Sequence, residues 1–215
     1  MGSRSLVEPD SSSAEPFRAL RLSIETKRTM GETTGLVFTS PRRLDGRSTI
    51  AANYAIVTAL VQRPVLLIDA DLRNPRLHEM FDRPRAPGLI DVLRDRLDPR
   101  EVAHTFPTLG GLHLLTSGSE APSPGDVAAS DAMGELLEEA YDEYEAVVLD
   151  SPAVLSAADA SSLASHSRTD VVMVVNRATK RRHAVSALRK LVQTEANVVG
   201  LVVNREGTLA SGFGR

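Results

Sequence analysis

The sequence has no cysteine and no tryptophan, and aromatic residues make up only 4% of its 215 positions. Without cysteine the chain can form no disulfide, no thiolate metal site and no thiol nucleophile. Its 25 basic residues include only three lysines, Lys27, Lys180 and Lys190, so nearly all of its positive charge is arginine. No apolar run in the sequence approaches the ~20 residues of a membrane-spanning helix, and the polar N-terminus does not resemble a signal peptide. These absences predict a cytoplasmic protein.

The overall composition is that of an ordinary soluble globular protein, with 42% hydrophobic and 25% charged residues. A length of 215 residues suffices for one domain with a substantial core. We predict a single domain over residues 14–204, preceded by a disordered segment at 1–13 and followed by a flexible tail at 205–215. The formal net charge of −3 argues against a broad basic surface, so we expect no nucleic-acid partner.

Short apolar segments alternate with segments of helical periodicity along the chain. Strands are predicted at 36–38, 65–68, 112–115, 146–149, 171–175 and 198–203. Helices are predicted at 14–29, 48–61, 88–96, 98–106, 132–144, 159–166 and 180–195. Uniformly apolar strands joined by helices predict an α/β fold, with a mostly parallel central sheet flanked by helices on both faces.

A βαβ unit over residues 36–71 contains the first candidate site, the loop between its first strand and its helix. This loop can be aligned with the phosphate-binding consensus G-x-x-x-x-G-K-[ST]. Gly46 and Ser48 match that consensus, whereas Pro41 and Arg47 replace its first glycine and its lysine. A helix that begins after such a loop offers free N–H groups to an anion. The pattern also fits an ordinary strand-to-helix loop, so both interpretations stay open.

Carboxylates follow two of the predicted strands. Asp69 and Asp71 come at the end of the second strand, and Asp150 ends the strand at 146–149. Carboxylates at the carboxyl edge of a sheet can hold Mg²⁺ or accept a hydroxyl proton, although solvated acids also end many strands. The five histidines show no metal-ligand spacing, and no Ser/His/Asp arrangement is recognisable. The three carboxylates beside a helix N-terminus predict a phosphate-metal site.

Several segments match one known family. VLLIDADLRNPRLHEMF at 65–81 is the most specific, and VVLDSPAVLSAADA at 147–160 is the next. Further matches are the E-x-x-R-x-x-R pattern of Glu15, Arg18 and Arg21, and the segments 117–130 and 201–205. From Ala14 to Asn204 the chain resembles the cytoplasmic domain of bacterial tyrosine kinases, the BY-kinases of capsule and exopolysaccharide systems. These are P-loop NTPases related to MinD- and ParA-type ATPases, so the resemblance implies the same fold.

The resemblance implies ATP and Mg²⁺ as ligands of the crevice beside the loop. By this resemblance the nucleotide contacts fall on Gly46, Arg47, Ser48, Thr49, Asn204 and Arg205. The metal contacts fall on Ser48, Asp71 and Asp150. Asp69 is the implied base for a tyrosine hydroxyl, and Arg47 takes the place of the catalytic lysine. Glu15, Arg18 and Arg21 are the implied contacts of a ring-shaped homo-oligomer, although a solvated helix face fits them too.

Two departures from the family argue against activity. Leu44 stands where the family has glycine and should resist a positive φ, and Arg47 replaces the lysine. The last residues contain Phe213 and no tyrosine, whereas family members usually end in a phosphorylated tyrosine cluster; if the natural chain is longer, such a cluster would lie beyond residue 215. We therefore expect a pseudokinase-like domain with impaired ATP binding and kinase activity.

Two other functions remain open at this point. The chain could be an active tyrosine autokinase or ATPase with a variant P-loop, or a positioning ATPase of the ParA or MinD type, which the segments 15–21 and 65–81 disfavour. For a BY-kinase the resemblance implies a membrane chain-length-determinant protein as partner, the polysaccharide copolymerase. We expect the domain to lie at the inner face of the plasma membrane through that partner or through a missing membrane segment.

Overall fold

The computed structural model describes residues 6–27, 35–61 and 63–204. Within these ranges one sheet contains seven strands: β1 (Gly35–Thr39), β2 (Val65–Asp69), β3 (His104–Phe106), β4 (Leu112–Leu115), β5 (Ala146–Asp150), β6 (Thr169–Asn176) and β7 (Asn197–Asn204). Their spatial order is β3-β4-β2-β5-β1-β6-β7, and only the pair of β3 and β4 is antiparallel. The predicted α/β fold with a mostly parallel sheet is confirmed.

Among the described residues, one α-helix precedes the first strand, and the others lie between successive strands. Those in the described ranges are α1 (Glu15–Glu25), α2 (Arg47–Ala59), α3 (Leu77–Met80), α4 (Leu89–Asp95), α5 (Pro99–Val102), α6 (Pro124–Ala128), α7 (Asp131–Glu143), α8 (Asp159–Ala164) and α9 (Arg181–Val192). None of these is long and apolar enough to cross a bilayer. The predicted strands are all present, with bounds that differ by one or two residues in most cases.

The helix predicted at 98–106 is wrong in its second half. Asp98 caps a single turn, accepting a hydrogen bond from the Arg100 N–H at 2.9 Å, and that turn ends at Val102. The next residues form β3, which pairs with β4 at the edge of the sheet. Pairing with β4 satisfies the backbone of β3, so a tertiary contact overrides the local helical pattern.

Both faces of the sheet are covered, because successive side chains of a strand point to opposite sides. On one face, Phe38 packs against Tyr54 of α2 with ring centroids 5.3 Å apart. On the other face, Val37 belongs to a core cluster built with α4, α7 and α8. Helix α2 is therefore buried along most of its length, and its N-terminus is held at the carboxyl edge of the sheet.

The N-terminal segment predicted to be disordered is described from Leu6 onward. The N–H of Val7 donates to Asn53 Oδ1 at 2.7 Å, and the carbonyl of Pro9 accepts from Arg18 Nη2 at 2.7 Å. Residues 6–13 thus contact α2 and α1. Residues 1–5 and the predicted tail at 205–215 lie outside the described residues.

Candidate active site

The topology brings the ends of three parallel strands together. Strand β5 lies between β1 and β2, and Asp150 is in register with Phe38 on one side and with Asp69 on the other. Asp69 and Asp150 are fully buried, and Asp71 is only 2% exposed. The structure thus places the three predicted carboxylates at one edge of the sheet, where open α/β folds bind ligands.

The loop between β1 and α2 adopts the conformation that the sequence argued against. Leu44 has φ of +68°, so the expectation that it would avoid the left-handed region is wrong. Its side chain is 79% exposed and meets little steric resistance from the rest of the protein. The conformation still costs about 1 kcal/mol for a residue with a Cβ. The loop therefore keeps a curved backbone without its glycine.

Gly46 completes that curve with φ of +94° immediately before α2. The side chain of Asn204 lies against it, so that a Cβ at position 46 would overlap the Asn204 amide nitrogen. Asn204 Nδ2 also donates to the Asp45 carbonyl at 3.0 Å. Asn204, which the resemblance assigns to the nucleotide, is thus in contact with the loop in this structure. Arg205, assigned with it, lies outside the described residues.

Asp45 ties the loop to the neighbouring strand and was not among the predicted site residues. One oxygen, Oδ2, accepts from the Arg42 N–H at 3.0 Å, and the other, Oδ1, accepts from Thr179 Oγ1 at 2.9 Å. The sequence did contain one sign of this role, because Asp45 is an acidic residue inside a loop that otherwise resembles a phosphate-binding pattern. Thr179 had none, since it lies 134 residues away and only the adjacency of β1 and β6 brings it near.

Arg47 is the most informative residue of the site. It is the first residue of α2 and is buried, with 7% of its surface exposed. Its Nη2 donates to Asp71 Oδ2, its Nε donates to the Ser151 carbonyl, and Nε lies 3.4 Å from Asp150 Oδ1. Sequence reasoning placed Arg47 against the phosphates of a nucleotide, whereas the structure places its guanidinium among the carboxylates.

Burial shifts the protonation of these carboxyls. It raises the pKa of Asp150 to about 6, and the nearby Arg47 charge only partly opposes that rise. Burial, followed by the charges of Asp150 and Asp71, raises the pKa of Asp69 well above its usual value. Asp69 Oδ2 accepts from the N–H groups of Arg76 at 3.1 Å and Leu77 at 2.9 Å. Asp69 is therefore a capping group of α3 that carries a raised pKa, and its role as a base stays a prediction.

The arrangement of these residues does not fit a Mg²⁺ ion. Both oxygens of Asp71 have partners, since Oδ1 accepts from the Asn74 N–H at 3.1 Å and Oδ2 from Arg47. Asp150 faces the same guanidinium. A divalent cation between Asp71 and Asp150 would lie beside the fixed positive charge of Arg47. In the described ranges no three acidic or histidine side chains converge on a position that could hold a metal.

A cavity of about 290 Å³ opens beside Arg47, between the loop and the segment after β2. The walls on the loop side include Arg43, Ser48 and Thr49, and those on the other side include Asn74 and Arg76. The first N–H groups of α2 have no partner within the helix and face this region by their position. The cavity therefore combines two arginines with a helix N-terminus, which suits an anion.

The three predicted oligomer contacts lie on α1 and make intramolecular contacts there. Arg18 Nη1 pairs with Glu15 Oε2 at 3.2 Å. Arg21 pairs instead with Glu25, with Nη1 2.9 Å from Oε1 and 3.0 Å from Oε2, and its side chain is only 13% exposed. The residues do not form one uniform exposed stripe, and their contact with a second copy stays a prediction.

Comparison with known proteins identifies relatives that span nearly the whole chain. Over 199 residues the sequence is 33% identical to the tyrosine-protein kinase YwqD of Bacillus subtilis, covering 93% of this chain and 84% of that protein. The chain belongs to the bacterial tyrosine-kinase family. It is also 29% identical over 196 residues to the tyrosine-protein kinase Etk of Escherichia coli, of which it spans only 27%. A search of family models gives no match.

Solved structures of this kinase family show the same fold. The kinase domain of Escherichia coli Etk superposes with a TM-score of 0.86 at 27% identity, covering 96% of this chain and 82% of that one. The chimerical protein CapA2B2 gives a TM-score of 0.86 at 29% identity, covering 94% and 88%. The septum site-determining protein MinD of Pyrococcus horikoshii, solved with Mg-ADP, gives 0.64 at 21% identity and covers 81% and 71%, which shows a shared P-loop ATPase fold.

Proposed function

We propose that this chain is a pseudokinase-like BY-kinase domain, which regulates the assembly and export of a capsule or exopolysaccharide and binds ATP weakly. Its family membership supports the general role. One observation carries the impairment: the guanidinium of Arg47, at the position of the P-loop lysine, is engaged by Asp71 and the Ser151 carbonyl. The lysine of a P-loop normally reaches the terminal phosphates.

The free energy needed to separate Arg47 from its carboxylates sets how much ATP affinity is lost. To reach a phosphate, its guanidinium would have to leave Asp71 and Asp150 buried without a cation. Breaking a buried ion pair costs about 3–5 kcal/mol, and each ~1.4 kcal/mol lowers affinity tenfold. We therefore expect ATP to bind about 150- to 4,000-fold more weakly than to a loop with a free lysine.

The remaining contacts of the nucleotide would come from the start of α2 and the end of β7. We assign Gly46, Ser48 and Thr49 to the phosphates. We assign Asn204, the last residue of β7, to the base together with Arg205, which lies outside the described residues. Gly46, Ser48 and Thr49 line the cavity, which supports the phosphate assignment. A nucleotide held this way binds through backbone N–H groups and the helix N-terminus.

The tyrosines support low autokinase activity. The sequence contains three, and Tyr54, Tyr141 and Tyr144 are all buried, at 2%, 3% and 7% exposure. A buried phenol cannot reach the active site of a second copy without local unfolding. We therefore expect no autophosphorylation within these 215 residues.

The alternative is an active autokinase or ATPase with a variant P-loop. The observation that favours it is the backbone of Leu44, which adopts a positive φ even though it has a side chain. If the loop backbone already has the curvature that a phosphate needs, the side chain of Arg47 is the main obstacle to nucleotide binding that remains in the loop. The two possibilities therefore differ in the expected affinity for ATP, which makes them separable by experiment.

Calorimetry with Mg-ATP tests the proposal on the wild type and on the double variant Leu44→Gly with Arg47→Lys. We expect weak binding for the wild type and a gain of about 100-fold or more for the double variant. Arg43→Lys, a conservative change in the same loop, is the matched control and should show no gain. Micromolar binding by the wild type without a gain on restoration, or phosphate on Tyr54, Tyr141 or Tyr144 after incubation with Mg-ATP, would return the chain to the active kinases.

For the partner, we propose a membrane chain-length-determinant protein, the polysaccharide copolymerase, which would hold the domain at the inner face of the plasma membrane. A homo-oligomer built through Glu15, Arg18 and Arg21 is part of the same proposal. The family membership of the chain supports both. Pull-down of a purified polysaccharide copolymerase by this protein, against an unrelated membrane protein, tests the first.

A further inference from the structure

Two carboxylates of the site, Asp71 and Asp150, have a positively charged side chain of the protein itself, Arg47, beside them. Arg47 contacts Asp71 and the Ser151 carbonyl by hydrogen bonds and lies 3.4 Å from Asp150. Its side chain is only 8% exposed, and those of Asp71 and Asp150 are 3% and 0% exposed. These contacts are thus shielded from water. An ion pair in the protein interior is much stronger than one at the surface.

A guanidinium suits this position better than an ammonium would. Its donors form a planar fork, so that one side chain can address a carboxylate, a second carboxylate and a backbone carbonyl at once. A lysine presents a compact point charge on a flexible stem and lacks that geometry. An arginine at position 47 can therefore act as an internal cation beside Asp71 and Asp150.

The anion cavity beside this cation keeps its other donors. Arg43, Ser48, Thr49 and Arg76 line it, and Arg76 pairs with Glu79 rather than with either carboxylate of the site. A phosphate chain placed there would lie between Arg43 on one wall and Arg76 on the other, while Arg47 keeps its carboxylate partner. The negative charge that a metal usually offsets would be offset by arginines.

We propose that Arg47 replaces the divalent cation of this site, so that a nucleotide binds through its phosphate chain without Mg²⁺. This inference rests on the proposed function, which leaves only the phosphate-binding backbone and the arginines for the nucleotide. A metal bound to the phosphates adds nothing to the affinity, because its place between Asp71 and Asp150 is filled. The site therefore binds free and metal-bound nucleotide about equally, or prefers the free form.

The test compares ATP affinity in EDTA with ATP affinity in excess Mg²⁺, by calorimetry on the wild type, Arg47→Lys and Arg43→Lys. For the wild type we expect the two affinities to agree within about threefold. For Arg47→Lys, which frees the carboxylates, we expect binding about tenfold or more tighter with Mg²⁺. Arg43→Lys keeps a positive charge at another position of the same cavity, so it should leave the ratio of the two affinities as it is in the wild type, whatever it does to each affinity.

A second measurement reads the metal directly. Electron paramagnetic resonance of Mn²⁺, titrated into each protein with and without ADP, reports bound metal independently of nucleotide affinity. We expect no site in the wild type beyond the Mn²⁺ held by ADP itself, and a new site in Arg47→Lys. If Arg47→Lys does not fold, as judged by circular dichroism, the wild-type titrations decide.

Four results would overturn the inference: wild-type ATP binding that is tenfold or more tighter with Mg²⁺, a Mn²⁺ site in the wild type, no binding of ATP in EDTA, or the same metal dependence in Arg47→Lys as in the wild type. The proposed function fails separately, through tyrosine phosphorylation by the wild type. A catalytically silent wild type with metal-dependent ATP binding would therefore reject the inference alone.

Discussion

Two sets of charged residues in this molecule differ in their surroundings. At the sheet edge, Arg47, Asp71 and Asp150 have side chains that are 8%, 3% and 0% exposed. On α1, Arg18 and Glu15 form an ion pair whose side chains are 41% and 72% exposed. The resemblance to one family implied functions for both sets. Their burial distinguishes them: we expect the stability of the fold to depend on the buried charges at the sheet edge and not on the exposed charges of α1.

The two sets of charges differ in their contribution to stability because the medium around them differs. An exposed ion pair is screened by water and salt and contributes about 0–1 kcal/mol, whereas removal of one partner from a buried pair leaves an uncompensated charge and costs about 3–5 kcal/mol. Helix α1 can therefore exchange its partners for those of another protein at little cost. Arg47 cannot leave its carboxylates so readily, which is why its orientation bears on nucleotide binding.

The largest effect should follow from Arg47→Met, which removes the buried cation and keeps a side chain of similar length. We expect a loss of about 3–5 kcal/mol of unfolding free energy at pH 8, because Asp71 and Asp150 stay buried without a counter-charge. Urea unfolding measures it, with Arg43→Met, on the exposed side of the same loop, as the control. A loss no larger than that of the control would mean that the buried cluster behaves like a surface pair.

The loss of unfolding free energy caused by Arg47→Met should depend on pH in a defined direction. A carboxyl with a raised pKa in the folded state binds more protons there than in the unfolded chain, so stability falls as pH rises from about 4 through the folded pKa. Burial raises the pKa of Asp150 to about 6, and the Arg47 charge opposes that rise, so its removal should raise the pKa further. Unfolding at pH 5.5 should therefore show a smaller loss for Arg47→Met than unfolding at pH 8. An equal loss at both values would contradict this account.

An intermediate effect is expected at Gly46, where the strain lies in the backbone. A side chain in the left-handed region costs about 1–2 kcal/mol, and the Cβ of Gly46→Ala would also overlap the amide of Asn204. The double variant with Asn204→Ala removes the overlap and leaves the backbone cost. Thermal unfolding of the two single variants and the double variant gives the coupling. A purely additive result would show that Asn204 does not press on the loop.

A smaller effect of opposite sign is expected from Leu44→Gly. Leu44 has φ of +68° and is 79% exposed, so glycine removes strain and sacrifices little packing. We expect an increase of about 0.5–1 kcal/mol in unfolding free energy. Val61→Gly, an exposed residue just after α2, is the comparison and should not stabilise. Destabilisation by Leu44→Gly would indicate that this side chain packs in the folded protein.

The smallest effect on stability should come from Arg18→Ala combined with Arg21→Ala on α1. These residues form partly exposed pairs at helical spacing, so we expect a loss of about 1 kcal/mol or less. The same change should lower the mass measured by light scattering if α1 joins two copies. A strictly monomeric wild type, or an assembled wild type whose mass the double variant keeps, would leave α1 as a solvated helix.

Much of the fold could be predicted because it depends on local patterns. The apolar segments before Asp71 and Asp150 could only be buried strands, and parallel strands place their ends at one edge. The errors lie where a distant contact decided. Residues His104–Phe106 became a strand through pairing with β4, and Leu44 accepted a positive φ in a loop that Asp45 and Asn204 hold in place.

The sequence by itself determined the alternation of strands and helices, the family, and the three carboxylates beside a helix N-terminus. The tertiary structure decided what the arginine at position 47 does. Its partner Ser151 lies 104 residues further along the chain and Asp71 lies 24 residues further. A charged side chain takes its partners from whatever the fold buries beside it, because an uncompensated charge in a low-dielectric interior is too costly. The spacing of residues along the chain does not show which partners the side chain of Arg47 takes.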